Sequence, residues 1–448
     1  MILKKFPHPI ILVLLLIFVA AGLTYVLPSG SYDRELNEIS GREVVVPGTY
    51  HETDSSPISF FDIWVSIPRA LSETSEVIFL VFLIGGAFVV VEKTSALNQG
   101  VYFLTNKIKG NSNLIIVFVS ILFTLAGAMN NTQEEIVAVI PVLVILTGSF
   151  GLKPQVAVAM STGSAIIGAA FSPINPFQVG IAQKLAQVEL FSGALYRGIF
   201  LLIGMSLWIV ILIRYANKTK RIIPEGNNEI QEKLSKKSLL IFLLVATTFG
   251  VMVIGILNWD WDFNQMAAPF VLMALVVGLI GDLKLEGTIN AYLSGIKEMV
   301  PSGLLIGFAM AISLVMKEGN ILDTIVYYLV LPIQNVSEYM AVFGMYIVHS
   351  ILHIPVPSVS GQAALTMPLM IPASDLLGIN RQVAILAYQY GAGLTDMLTP
   401  TNGALMAVLI AAKVNYNEWI KFILPKFLII MALAFLSLFI SMFFFVFA

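Results

Sequence analysis

Ser172-Pro173-Ile174-Asn175-Pro176 interrupts one apolar stretch of this chain, and Thr399-Pro400-Thr401-Asn402-Gly403 interrupts another. A shift of 227 residues places Pro173 on Pro400 and Asn175 on Asn402 (400 − 173 = 402 − 175 = 227). The same ungapped shift sets Pro141 on Pro368, Gly151 on Gly378, and Gln155-Val156-Ala157 on Gln382-Val383-Ala384. Proline removes a backbone donor and clashes with the preceding turn, so each break stops a helix. Breaks at matching places in two halves point to a transporter built from repeats, with its binding site at the breaks. The shift alone does not distinguish inverted from parallel repeats; inverted is the expectation.

A second pair of interruptions lies upstream. Asn130-Asn131-Thr132-Gln133-Glu134-Glu135 cuts an apolar run into 114–129 and 136–150, and the shift lays it on Pro357-Ser358-Val359-Ser360-Gly361-Gln362. The distance from tip to break is the same in both halves (175 − 131 = 402 − 358 = 44). A full span needs about 20 apolar residues, so the shorter arms read as re-entrant hairpins. Polar backbone at that depth must be buried in protein or line a watery cavity. Hairpins are expected near 114–150 and 338–373, and broken helices near 155–185 and 382–412.

Composition agrees: of 448 residues, 58% are hydrophobic and 12% charged, against roughly 25% charged in soluble domains. The expected fold is an all-α polytopic membrane protein. With a net charge of −2 and no basic patch, nothing calls for nucleic acid, and with no cysteine there is neither disulfide nor thiolate chemistry. The polar segment 214–237 carries seven basic residues, whereas 28–59 carries two basic and six acidic ones. The positive-inside rule therefore puts the amino terminus and 214–237 in the cytoplasm and 28–59 outside. The halves are 1–214 and 238–448, joined by a linker at 215–237. The first apolar run follows Lys4-Lys5 and continues to Leu27, which favours an uncleaved span over a signal peptide. Asn258-Trp259-Asp260-Trp261-Asp262 reads as a short outer loop.

Broken helices expose unpaired N–H groups at one new end and carbonyls at the other. The N–H ends favour a carboxylate, and the carbonyl ends with side-chain oxygens favour a cation. The candidate substrate residues are Asn130, Asn131, Thr132, Glu134, Glu135, Ser172, Asn175, Ser358, Ser360, Gln362, Thr399, Thr401 and Asn402. The candidate ion residues are Asn131, Asn175, Asp396 and Asn402, with Na⁺ or H⁺ as the coupling ion and no other cofactor. Pro173, Pro176, Pro400, Gly361 and Gly403 shape the breaks.

SPINP and TPTNG, each downstream of a polar tip, resemble the ion transporter superfamily of secondary carriers. Within it, VLPSGSYDR, GREVVVPGTYH and IGGAF resemble the four-carbon dicarboxylate anaerobic carrier family, nearest its YfcC branch of basic amino acid antiporters. The resemblance covers the whole chain. It implies a scaffold and a transport domain, elevator-like motion, a homodimer and residence in a bacterial inner membrane. Dicarboxylate members carry Ser-Asn-Thr at both tips, whereas these read Asn-Asn-Thr and Ser-Val-Ser.

Glu134, Glu135 and Asp396 are costly inside a membrane and default to functional hypotheses. They would match a cationic or zwitterionic solute, so an amino acid or small peptide is preferred over a dicarboxylate. Glu134-Glu135 also fits a helix cap, and Asp396 a structural hydrogen bond. His349 and His353, four apart, suit a metal pair or relay, although a structural role is the expectation. A channel or an intramembrane enzyme explains less. There is no HExxH or GxSxG motif, and Gly393-Leu394-Thr395-Asp396 lacks the Gly-x-Gly-Asp order of an intramembrane aspartyl protease.

Overall fold

The computed structural model describes residues 9–37, 42–94, 96, 99, 111–130, 133–220, 235–259 and 261–445. The first half contains α1 (Pro9–Leu23), α2 (Phe60–Glu73), α3 (Ser75–Lys93), α4 (Ser112–Asn130) and α5 (Glu134–Ser149). It continues with α6 (residues 154–170, with a π turn at Ala159–Gly163), α7 (residues 176–185) and α8 (Ala194–Thr219). The second half contains α9 (Lys236–Trp259), α10 (Phe263–Ile280), α11 (Lys284–Glu318), α12 (Leu322–Val330), α13 (Glu338–Leu352) and α14 (Val359–Leu376). α15 (Arg381–Thr395), α16 (Gly403–Ala411) and α17 (Tyr416–Phe444) complete it. Among the described residues, six helices are long and apolar enough to cross a membrane: α3, α4, α8, α10, α11 and α17. Large apolar side chains such as Phe118, Leu195 and Leu272 face outward, as hydrocarbon surroundings require.

Two elements depart from the sequence pattern. The apolar run 302–316 is part of the 35-residue α11; Lys297, Glu298 and Pro301 interrupt hydropathy but not the helix. α2 is amphipathic, burying Ile63, Ser66 and Ala70 while Phe60, Phe61 and Trp64 stay exposed. Between the halves, α8 runs to Thr219 and α9 starts at Lys236.

The segment after α1 forms two antiparallel ribbons: β1 (Gly30–Ser31) with β4 (His51–Glu52), and β2 (Arg34–Asn37) with β3 (Arg42–Val45). They are fastened to α12. Arg34 Nη2 grips both oxygens of Asp323 at 2.8 and 2.9 Å, and the Tyr32 N–H donates to Asp323 at 3.0 Å. The Tyr50 ring stacks on Tyr327 at 4.1 Å. Burial, and next the Asp323 carboxylate, push the Tyr32 phenol above its usual range. In the expected outer loop, Trp259 and Trp261 lie 5.6 Å apart; Asp260 falls outside the described residues.

Positions 227 apart carry matching local geometry. Gly151 and Gly378 both take left-handed φ, +72° and +69°, which glycine adopts without steric penalty. Each closes the same helix-ending turn: Leu152 N–H donates to Thr147 at 3.0 Å and Ile379 N–H to Ser374 at 2.8 Å. Pro141 and Pro368 both lie inside helices, α5 and α14. α4 packs on α6 as α13 packs on α15. A smaller second core, formed by α3, α9, α10 and Ala291 of α11, lies apart from the one holding these elements.

Candidate substrate and ion site

Both breaks occur where the prolines predict. α6 ends at Ala170 and α7 starts at Pro176; α15 ends at Thr395 and α16 starts at Gly403. Pro176 is the first residue of its helix, where a missing N–H costs nothing. Asparagine caps both new helices. Asn175 Oδ1 accepts from Phe177 and Gln178 N–H at 2.9 and 3.0 Å, and Asn402 Oδ1 accepts from Leu405 N–H at 2.9 Å. Each break is tied to the end of its own hairpin arm. Asn175 Nδ2 donates to Gly127 O at 2.9 Å, and Thr401 Oγ1 donates to Ile354 O, which is the same carbonyl under the shift (354 − 127 = 227).

A cavity of about 270 Å³ lies where the two breaks and the two tips meet the long helix α11. Gln133 comes from the first tip, Phe177 from the first break, and Pro357, Ser358, Val359 and Ser360 from the second tip. The second break contributes Asp396, Thr401, Asn402, Gly403 and Ala404. Thr74, Val77, Ile306, Ala309 and Met310 form the facing wall. Close approach needs Gly403, because a Cβ there would sit 2.8 Å from Ile306 Cα. α14 and α16 both aim their N-termini here. Ser358 Oγ takes the Gly361 N–H at 3.3 Å, and the N–H groups of Val359, Ser360, Gly403 and Ala404 precede the first intrahelical bonds.

Asp396 is 3% exposed, and it is the ionisable side chain among the described cavity-lining residues. Gln133 Nε2 donates to its Oδ2 at 2.8 Å. Asn402 Nδ2 donates to its Oδ1 and to Gln133 Oε1 at 2.9 Å. His353 Nε2 lies 2.7 Å from Oδ1. Behind this triangle, His353 Nδ1 meets Gln362 Oε1 at 2.9 Å. Gln362 Nε2 in turn donates to His349 O at 2.9 Å and approaches His349 Nδ1 at 3.2 Å. A buried carboxylate requires such partners, since unpaired charge in a low-dielectric interior is very costly.

The sequence-derived candidates therefore separate. Ser358, Ser360, Thr401, Asn402 and Asp396 line the cavity. Gln362 is one step behind it. Asn175 and Ser172, both fully buried, spend their polar atoms locally: Ser172 Oγ donates to Ala128 O at 2.6 Å and accepts from Asn175 N–H at 2.8 Å. Thr399, 1% exposed, has an unpaired hydroxyl. Asn131 and Thr132 lie outside the described residues, as do the side chains of Asn130, Glu134 and Glu135.

Sequence reasoning missed Gln133, hidden among more conspicuous tip residues, and Arg197; it singled out His353 but not its contact with Asp396, 43 residues away (396 − 353 = 43). Arg197, fully buried in α8, donates to Gln389, Gln382 and Ser192; Gln389 passes the contact to Ser172 O at 2.8 Å. A lone arginine in an apolar run was the available signal. No group of three or more metal-ligating side chains occurs among the described residues.

A family model described as C4-dicarboxylate anaerobic carrier matches residues 6–443. YfcC of Escherichia coli (strain K12), provisionally named a basic amino acid antiporter, is 32% identical over 369 residues, covering 77% of this chain and 73% of its own. An uncharacterized Haemophilus influenzae protein is 28% identical over 478 residues, covering 94% of each chain. Among solved structures, Neisseria gonorrhoeae MtrF, of a class of antimetabolite efflux pumps, aligns at 16% identity and a TM-score of 0.42, covering 98% of this chain and 96% of that one. The Alcanivorax borkumensis YdaH transporter aligns at 15% identity and a TM-score of 0.44, covering 98% and 99%.

Proposed function

The chain belongs to the C4-dicarboxylate anaerobic carrier family, and on that premise we propose that this membrane transporter is a secondary active carrier of an amino acid, a basic one above all. The carrying observation is the charge of the cavity: it holds the Asp396 carboxylate, and no lysine or arginine is among its described lining residues. An ammonium or guanidinium group pairs with Asp396. A substrate carboxylate is received by the free N–H groups at the start of α14 and α16, where the helix dipole favours an anion. The basic amino acid antiport for which YfcC is named agrees with this polarity.

The mechanism proposed is alternating access by an elevator. The two hairpins and two broken helices, related as inverted repeats, move together against a scaffold that includes α2, α3 and α11. The location of the cavity between α11 and the breaks supports this, as does the matched local geometry 227 residues apart. We place the carrier as a homodimer in a bacterial inner membrane, amino terminus inside. An ion gradient or exchange drives it.

The second reading, C4-dicarboxylate transport, is favoured by the family's description and opposed by the acidic cavity. Counterflow in proteoliposomes separates the two. Vesicles loaded with unlabelled L-arginine should accumulate labelled L-arginine, and succinate-loaded vesicles should not accumulate succinate. The reverse pattern would overturn the amino acid reading.

A further inference from the structure

We propose that the coupling ion is a proton, held between His353 Nε2 and Asp396 Oδ1, and that it and the substrate cation occupy Asp396 in turn. The proposal deepens the transport reading above and rests on it for the exchange step alone.

The argument is one of donors and acceptors, fixed at both ends by the backbone. At one end, the Leu405 N–H donates to Asn402 Oδ1 at 2.9 Å, so the other amide atom facing Asp396 and Gln133 is Nδ2. Gln133 Oε1 accepts from it at 2.9 Å, which turns Gln133 Nε2 onto Asp396 Oδ2 at 2.8 Å. Asp396 thus accepts from two amides. At the other end, the His349 carbonyl can only accept, so Gln362 Nε2 is the donor there at 2.9 Å and Oε1 faces His353. An amide oxygen has no proton to give. His353 Nδ1 must therefore carry hydrogen.

That assignment decides the last contact. If His353 were neutral, Nε2 would be a lone pair; facing a carboxylate at 2.7 Å, it would set acceptor against acceptor. One proton must lie between them, whether the pair is written as imidazolium with carboxylate or as imidazole with carboxylic acid. The neighbours supply no alternative. His349 Nδ1 accepts from Gln362 at 3.2 Å, and the Tyr388 ring of α15 stands edge-on to His349 at 5.3 Å. Gln362 of α14, Gln133 beside α5 and Asn402 beside α16 are not ionisable. His353, Asn402 and Gln133 all turn nitrogens toward this carboxylate, an arrangement that suits a shared proton. When the proton leaves to water, His353 is left neutral and Asp396 anionic. The carboxylate is then free to pair with an ammonium or guanidinium entering the cavity.

The test uses the full chain in lipid, first without substrate. Infrared difference spectra between acidic and alkaline buffer should show paired carboxyl and imidazole changes that disappear in both Asp396→Asn and His353→Gln. Spectra unaltered by either substitution overturn the proposal. Wild-type protein needs no folded variant for the second arm: Na⁺ added at fixed pH should leave the carboxylate bands unchanged, and a Na⁺-induced shift of those bands overturns it. In the third arm, calorimetry of L-arginine in buffers of different ionisation heat should report release of about one proton per arginine bound. Arginine binding without proton release overturns the alternation. Absence of arginine binding removes the amino acid reading, while the infrared spectra still decide whether the proton lies between His353 and Asp396.

Discussion

The two helix breaks share one backbone plan and differ in what they leave available. At the first, Ser172 donates to Ala128 O and Asn175 to Gly127 O, so the break is sewn to its own hairpin. At the second, Thr401 keeps the bond to Ile354 O. The carbonyl corresponding to Ala128, that of Pro355, is instead taken by Ser313 of α11 at 2.9 Å, and the Thr399 hydroxyl is unpaired. The charges divide likewise. A buried arginine stands behind the first break through Gln389, whereas a carboxylate stands in the second and lines the cavity. The first break spends its polar side chains on its own hairpin, apart from an unpaired Gln178 amide beside Gly393, and gives the cavity only the Phe177 ring. The other is open toward the cavity and α11. The two breaks match in local geometry and differ in a few polar side chains.

Substitutions sharpen that contrast in order of size. Asp396→Asn keeps the shape but removes the charge proposed to pair with a substrate cation; L-arginine counterflow should fall about 100-fold, equivalent to about 3 kcal/mol. A rate within a few-fold of wild type would remove Asp396 from the site. Gln133→Ala deletes one donor to Asp396 and one acceptor for Asn402. Leaving a buried polar group unsatisfied costs about 1–3 kcal/mol, so uptake should drop roughly tenfold or more. An unchanged rate would mean the first tip does not serve the site. The smallest effects belong to the shared frame. Gly151→Ala and Gly378→Ala each force a side chain into left-handed φ and should lower stability by about 1 kcal/mol. Thermal unfolding in detergent would expose any inequality; a large effect at one position only would argue against a common plan.

Much of the frame was legible because proline, asparagine and glycine act locally. Pro173, Pro400, Asn175 and Asn402 stop and cap helices wherever they occur in an apolar run, and Gly151 and Gly378 end them. The site was less legible, since it depends on partners far apart in the chain: Gln133 reaches Asp396 across 263 residues. Hydropathy also passed over the amphipathic α2, and within α11 it marks only the run from 302, beyond Lys297, Glu298 and Pro301. The ribbons at 30–52 could not be foreseen from a polar segment whose anchor, Asp323, lies in the other half.

The central claim is that the matching asparagines do different work. Asn175→Ala and Asn402→Ala in proteoliposomes, with counterflow of L-arginine normalised to folded protein, test it most directly. Loss of a cap costs about 1–2 kcal/mol of stability in either variant. The account predicts that Asn175→Ala transports at a near wild-type rate per folded chain, while Asn402→Ala, stripped of its donor to Asp396, does not. Equal loss of transport in two folded variants would contradict it.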